Sequence, residues 1–285
     1  MQNQDQNNPL ICKDFTVSKE EFELVLDSNL EILVTTPQPS IEKLGAYYES
    51  ESYISHTDSK QSFFDRIYQL VKIYTISKKV KLVSKFLDNY SKNSILDIGC
   101  GTGDFLLSCQ KGGFSVTGIE PNQKAKTLTT SKVTSKIYSD ISEITSQKFD
   151  CITMWHVLEH VPNLEEYISN LKQLLKPNGT LFVAVPNYKS FDANHYGRYW
   201  AAYDVPRHLW HFSQKSISLL FKEEGMKVVK TIPMKFDSFY VSLLSEKYKN
   251  GKSNPLNAFF IGLKSNLKAT HTSEYSSLIY VLKNE

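Results

Sequence analysis

Between Ile95 and Asp104 the chain reads Ile-Leu-Asp-Ile-Gly-Cys-Gly-Thr-Gly-Asp, an apolar run that gives way to three glycines in alternation. Such a run reads as a strand turning sharply into a helix. Gly99, Gly101 and Gly103 let the backbone turn and approach a ligand with no Cβ between them. In doubly wound sheets, ligands settle at that carboxyl edge. The next apolar run, Ser115 to Glu120, ends in a carboxylate whose two oxygens can accept hydrogen bonds from both hydroxyls of a ribose. Adenosine therefore suits the place. The dinucleotide fingerprint is a rival, but it spaces its glycines as GxGxxG. Here the spacing is GxGxG, and Asp97 precedes it where it can meet a cationic aminoacyl group.

From Ser94 onward, strand-like and helix-like segments alternate, the pattern of parallel strands joined by helical crossovers. Strands are expected at 95–100, 115–120, 136–140, 149–155 and 180–187. Between the last two lies a helix capped by Asn163, with Glu165 and Glu166 in its first turn and Leu164, Ile168, Leu171 and Leu175 as its buried stripe. A long aromatic and histidine-bearing connection follows Asn187, then a helix from about Ser213 to Gly225. MKVVKTIPM and SSLIYVLKN read as closing strands, separated by a helical insertion over about 238–268. Ahead of Ser94, residues 1–40 read as a loosely packed arm in which VSKEEFELVLDSN suggests a short helix and TTPQPS a linker. Apolar residues at helical spacing from Ser59 to Tyr90 predict a long or broken helix pair. The expected division is an arm and helical lid over 1–90 and an α/β domain over 91–285, built on a doubly wound, mostly parallel sheet.

LDIGCGTGDF, TGIEPN, FDCITMWHVLEHVPN and LLKPNGTLFVAVPN occur in this order, and over about residues 90–235 the chain resembles the class I S-adenosylmethionine-dependent methyltransferases. The resemblance implies a Rossmann-like sheet of seven strands with the last inserted antiparallel. It implies donor binding by Asp97, Gly99, Gly101, Gly103, Glu120 and Asp140, with Cys100, Pro121, Ile141, Trp155 and His156 beside them in the same motifs. HVLEHV and YDVPRHLWHFS look most like the subgroup related to ubiquinone-type small-molecule O-methyltransferases. The implied reaction is in-line displacement at an already activated methyl group, with the protein positioning the acceptor and excluding water.

An oxygen acceptor also needs a base. His208, His211 and His195 lie in the segment after the fifth strand and are the candidates, since neutral imidazole near pH 7 is suited to the task. A local role for His211 and Ser213 at a helix start is the plainer alternative. Arg207 can hold an acidic group of the substrate or pair with Asp204. Tyr196, Trp200 and Tyr203 suit an apolar or aromatic acceptor, or a lid core. Tyr53 and His56 can help close the site or simply pack. His156, Glu159 and His160 would share one face of a helical turn. The resemblance implies, for some ubiquinone-pathway relatives, a divalent ion on an acid, acid, His arrangement at this place; with His156 in place of the first acid a hard cation is disfavoured, so no metal is expected.

A net charge of +3 with dispersed lysines argues against a nucleic-acid partner, as does the lack of a DPPY-like segment. Methylation of a protein or RNA and donor binding without turnover stay open beside the small-molecule reading. The polar start, the absence of any bilayer-length apolar window and four widely spaced cysteines place the chain in the cytoplasm. The insertion bearing Phe239, Tyr240, Phe259 and Phe260 is expected to pack on the sheet, ahead of docking a lipid-like substrate, a membrane surface or a second subunit.

Overall fold

The computed structural model describes residues 9–48, 63–87 and 93–285. Tyr53, His56 and Tyr90 lie outside the described residues. The main sheet is built from β4 (Ser94–Ile98), β5 (Ser115–Ile119), β6 (Ile137–Tyr138), β7 (Phe149–Trp155), β8 (Leu175–Pro186), β10 (Met226–Pro233) and β11 (Ser277–Asn284). These seven strands lie in the order β10-β11-β8-β7-β4-β5-β6. The run β6-β5-β4-β7-β8 is parallel, and β11 is antiparallel to both of its neighbours, β8 and β10. The expected seven-stranded doubly wound sheet is thus present.

Central strands buried on both faces explain the nearly unbroken apolar runs read from the sequence. Successive side chains alternate between two cores. Leu96 and Ile98 join Ile152, Met154 and Val183 on one face, while Ile95 joins Cys151, Phe182 and Ala184 on the other. The helix Leu164–Leu174 presents Leu164, Ile168 and Leu171 to the first core, as its spacing predicts. Each such side chain, fully buried, contributes roughly 1.5–3 kcal/mol. Asn163 holds the cap position, but its amide donates to Glu166 instead of accepting from the helix. The helix Gln214–Glu223 begins at Ser213, which forms a capping box with Ser216.

The amino-terminal arm differs from expectation. It is a sheet, with β1 (Leu10–Lys13), β2 (Glu21–Asp27) and β3 (Ile32–Thr36) completed by β9 (Trp210–His211) in the order β1-β2-β3-β9. In β2, Phe22 and Leu24 point inward while Glu21, Glu23 and Val25 face outward. That period of two is a strand's, and it overrides the glutamate-rich composition of a segment expected to be a short helix. Where a long or broken helix pair was expected, the described residues form one helix of 22 residues, Phe63–Ser84. The insertion folds as two helices, Asp237–Asn250 and Pro255–Thr272.

Candidate functional site

Strand order reverses at β4, whose two neighbours are β5 and β7, so the crevice at their carboxyl ends is where such a sheet takes a ligand. Gly99 follows β4 with φ +67, and a Cβ there would stand 2.5 Å from Val157 Cγ2. Gly101 also has positive φ, at +54, yet nothing lies within 4 Å of where its Cβ would be, which leaves the turn open on the ligand side. The Gly101 N–H donates to Glu120 Oε2 at 2.8 Å, and Asn122 N–H donates to Glu120 Oε1 at 2.9 Å. Two carboxylate oxygens with about four acceptor sites keep capacity for ribose hydroxyls. Burial raises the Glu120 carboxyl above its ordinary range, opposed by those two N–H groups.

Register places Thr153 of β7 beside Asp97 of β4. The Thr153 hydroxyl donates to Asp97 Oδ1 at 2.6 Å. Burial pushes the Asp97 carboxyl up to about 7, against the pull of Thr153 and Lys79. A buried carboxylate of raised affinity for protons is a ready partner for an ammonium group. Asp140 sits past β6 and caps the turn Ile141–Glu143, with Ile141 buried beneath it; Pro121 is exposed beside Glu120. Cys100 is buried, its Sγ pressed against Gly118. These residues fit a nucleoside joined to a cationic amino-acid chain.

Lys79, on the helix Phe63–Ser84, reaches the same place. Its Nζ lies 4.4 Å from the Trp155 ring centroid. Burial lowers its pKa, while the charges of Asp237 and Asp97 raise it. Nothing in the spacing of that helix marked Lys79, because its role depends on where the helix docks. The docking is fixed in part by Lys72, 2.6 Å from Asp104 at the start of the helix after the glycine turn.

His156 follows β7 directly and lies in the left-handed region, at φ +60. Its Nδ1 lies 3.3 Å from Glu159 Oε1 and its Nε2 lies 3.2 Å from Asp237 Oδ2. Burial works against the imidazolium, but the two carboxylates hold His156 up at about 9. Glu159 is fully buried; against the cost of burial, His156 draws its carboxyl down to about 2. Its second oxygen, Oε2, has no hydrogen-bond partner. The sequence placed His156, Glu159 and His160 on one face of a helical turn. The structure has a single 3-10 turn, Leu158–His160, and His160 swings away from His156 toward the carbonyl of Arg207 and the Tyr48 hydroxyl, both 3.0 Å from its Nδ1.

That swing brings His160 against His208, the ring centroids 4.6 Å apart. His208 Nδ1 donates to the Ala202 carbonyl at 2.9 Å, and His160 Nδ1 to that of Arg207, so each ring keeps Nε2 as its basic nitrogen. Glu159, His160 and His208 each offer one potential ligand atom, a carboxylate oxygen or a ring nitrogen, within 4.8 Å of the others. Burial and the neighbouring His208 push His160 down to about 4, so its ring is neutral near pH 7.

The other candidates lie elsewhere. His195 is exposed and stacked on Phe191, outside this cluster. His211 is buried, with Nε2 3.0 Å from Thr35 Oγ1, which itself donates to the His208 carbonyl. Thr35 must then accept from His211, and that ring is a structural tie between β9 and β3. Arg207 does not face a substrate: its guanidinium donates to both oxygens of Asp204, to Asp14 and to the Tyr47 carbonyl, spending its donors inside the protein. Tyr196, Trp200 and Tyr203 are buried with Cys12, Phe22 and Leu24. Trp200 donates to Asp192 and Tyr196 to Glu246, so these aromatics are the core beneath the amino-terminal sheet and do not line an acceptor pocket.

A doubly wound sheet of this order, with paired acids around a glycine turn, defines a nucleoside-binding α/β protein. Residues 62–231 match the family described as "Methyltransferase domain", and the chain belongs to that family. Among curated proteins it is similar to the ubiquinone biosynthesis O-methyltransferase of Rickettsia typhi, 34% identical over 124 residues that cover 41% of this chain and 49% of the relative. The protein of the same name from Pasteurella multocida is 31% identical over 148 residues, covering 45% and 58%. The chain thus spans about half the length of the curated relatives it matches. Among solved structures, magnesium protoporphyrin IX methyltransferase from Synechocystis superposes with a TM-score of 0.58 at 14% identity, covering 86% of this chain and 100% of that one. A mycolic acid cyclopropane synthase does so with 0.58 at 13%, covering 87% and 99%. At such identities these two speak for the fold alone.

Proposed function

We propose that this chain transfers the methyl group of S-adenosylmethionine to an oxygen of a small-molecule acceptor. The observation that carries the reading is the open glycine turn flanked by the buried Asp97 and Glu120 at the switch point of the sheet. When bound, the donor supplies a methyl group activated on a sulfonium. Asp97 meets its ammonium, Lys79 is the cation placed to meet its carboxylate, and Glu120 accepts from its ribose. His208, its tautomer set by Ala202, is the base we assign for the acceptor hydroxyl.

The choice of oxygen rests on the names of the curated relatives. So does the apolar or aromatic character of the acceptor, now that Tyr196, Trp200 and Tyr203 are core residues. Four buried, free cysteines suit a reducing compartment, and the cytoplasm is the one we assign. No helix among the described residues is long and apolar enough to cross a membrane.

Calorimetry with S-adenosylhomocysteine tests the donor site: wild type binds and Glu120→Ala binds markedly less. No binding by wild type, or equal binding by both, would sink the reading. His208→Asn should keep S-adenosylhomocysteine binding while kcat falls about 10²–10⁴-fold, the range for loss of a general base. An unchanged kcat would remove His208 from the chemistry.

A further inference from the structure

The helix Pro255–Thr272 is packed inside out. Its buried residues are Ala258, Gly262, Ser265 and Ala269, all small, at spacings of four, three and four. They let it press close on the helix Asp237–Asn250: a Cβ on Gly262 would lie 3.0 Å from the backbone of Phe239. Its large apolar residues face the other way. Leu256 is 75% exposed, Phe259 53%, Phe260 62%, Leu263 38% and Leu267 58%. Positions i, i+3, i+4, i+7 and i+11 form one stripe along a helix. A globular protein ordinarily turns such a stripe inward, and one left facing out marks a contact surface.

Charge narrows what the surface meets. From Lys235 to Ser273 the sequence holds only two acids, Asp237 and Glu246. Asp237 pairs with His156, and Glu246 is buried against Tyr196 and Asn257. Lys247, Lys249, Lys252, Lys264 and Lys268 are all exposed. Lys264 and Lys268 lie on the stripe's own helix, their Nζ over the Phe191 ring at 5.3 and 4.2 Å. A second copy docked by the same face would set lysines against lysines with no free carboxylate between them. An anionic lipid surface supplies both the apolar layer for the stripe and negative charge for the lysines.

We propose that Pro255–Thr272 lies in the plane of an anionic membrane surface and docks the protein there, Leu256, Phe259, Phe260, Leu263 and Leu267 inserted and the lysines against phospholipid headgroups. At 1.5 Å per residue the 18 residues form a contact about 27 Å long. The attachment is peripheral and does not depend on the methyl donor.

Sedimentation of the full chain with vesicles tests it. The protein should pellet with vesicles of phosphatidylcholine and phosphatidylglycerol, pellet much less with phosphatidylcholine alone, and be released by salt, since exposed charges are screened within about 10 Å at 0.1 M. Phe259→Ser with Phe260→Ser should weaken partitioning at least about tenfold while S-adenosylhomocysteine binding and the circular dichroism spectrum stay unchanged. Lys252→Glu, on the turn before the helix, should weaken it about fivefold or more on anionic vesicles only. Failure of wild type to pellet overturns the proposal. So does equal pelleting by the double serine variant, or a dimer in sedimentation velocity that the double serine variant abolishes without any lipid binding.

Discussion

His156 carries its imidazole between the carboxylates of Glu159 and Asp237, from opposite sides of the site. Its pKa of about 9 in the folded chain lies above the ordinary 6.5. The folded state therefore holds a proton that the unfolded state releases between those values, and stability must fall as pH rises through them. The contribution is complete below pH 6.5 and gone above about 9. Thermal unfolding of His156→Gln against wild type should show the largest gap in Tm below that window and a shrinking gap across it. His160 runs the other way. Held down to about 4, it stays neutral where an unfolded histidine takes a proton, so its burial costs stability as pH falls from 6.5 toward 4. His160→Asn should lose less stability than wild type over that acid range. The glycine turn, Asp97 and Glu120 were legible in the sequence because a sharp turn after a strand is a local demand. Lys79, Thr153 and Asp237 were not. Each reaches the site through tertiary structure: the docking of a helix, the register of two strands, the return of an insertion. Nor could spacing tell that His160 turns toward Arg207 while His156 turns toward Asp237.

The segment between β8 and the helix Gln214–Glu223 was legible as a long, aromatic and histidine-bearing connection, but not in its division of labour. It gives His208 to the site and spends Arg207, Trp200 and Tyr196 on holding itself down. Arg207 is the most committed of these, its side chain 3% exposed and bound to Asp14 and Asp204. Removing one partner of a buried pair leaves the others uncompensated, which costs about 3–5 kcal/mol. Arg207→Ala should lose stability of that order in urea unfolding. Arg207→Lys should recover only part of it, because an ammonium cannot reproduce the planar fork that spans two carboxylates. An unchanged urea midpoint in the alanine variant would mean that the bonds are not made in solution. Strand boundaries from Ile95 onward were readable to within two residues, since strands buried on both faces announce themselves as apolar runs; the exception is β8, which begins at Leu175, five residues ahead of expectation. In β2, only two of seven residues are buried, and a period of two that faint is easily lost in its acids.

The chain is a methyltransferase-domain fold to which two elements have been added, a small sheet and a helical pair, which meet where Phe15 stacks on Tyr248. Both additions reach the central site: the sheet through Thr35, which donates to the His208 carbonyl, and the helical pair through Asp237. A chain lacking residues 1–40 would leave β9 without β3, Arg207 without Asp14, and Trp200 and Tyr203 uncovered. Its thermal midpoint should fall below that of Arg207→Lys, measured side by side by calorimetry; a midpoint equal to wild type would make the sheet an independent ornament. The pairing of β3 with β9 also sets a waiting time. Thr35 and His211 are 176 residues apart, and a ribosome adds roughly 5–20 residues each second. For about 9–35 s of every synthesis, the strands made first stand with an open edge and an uncovered apolar face, until Trp210 and His211 emerge to complete the sheet.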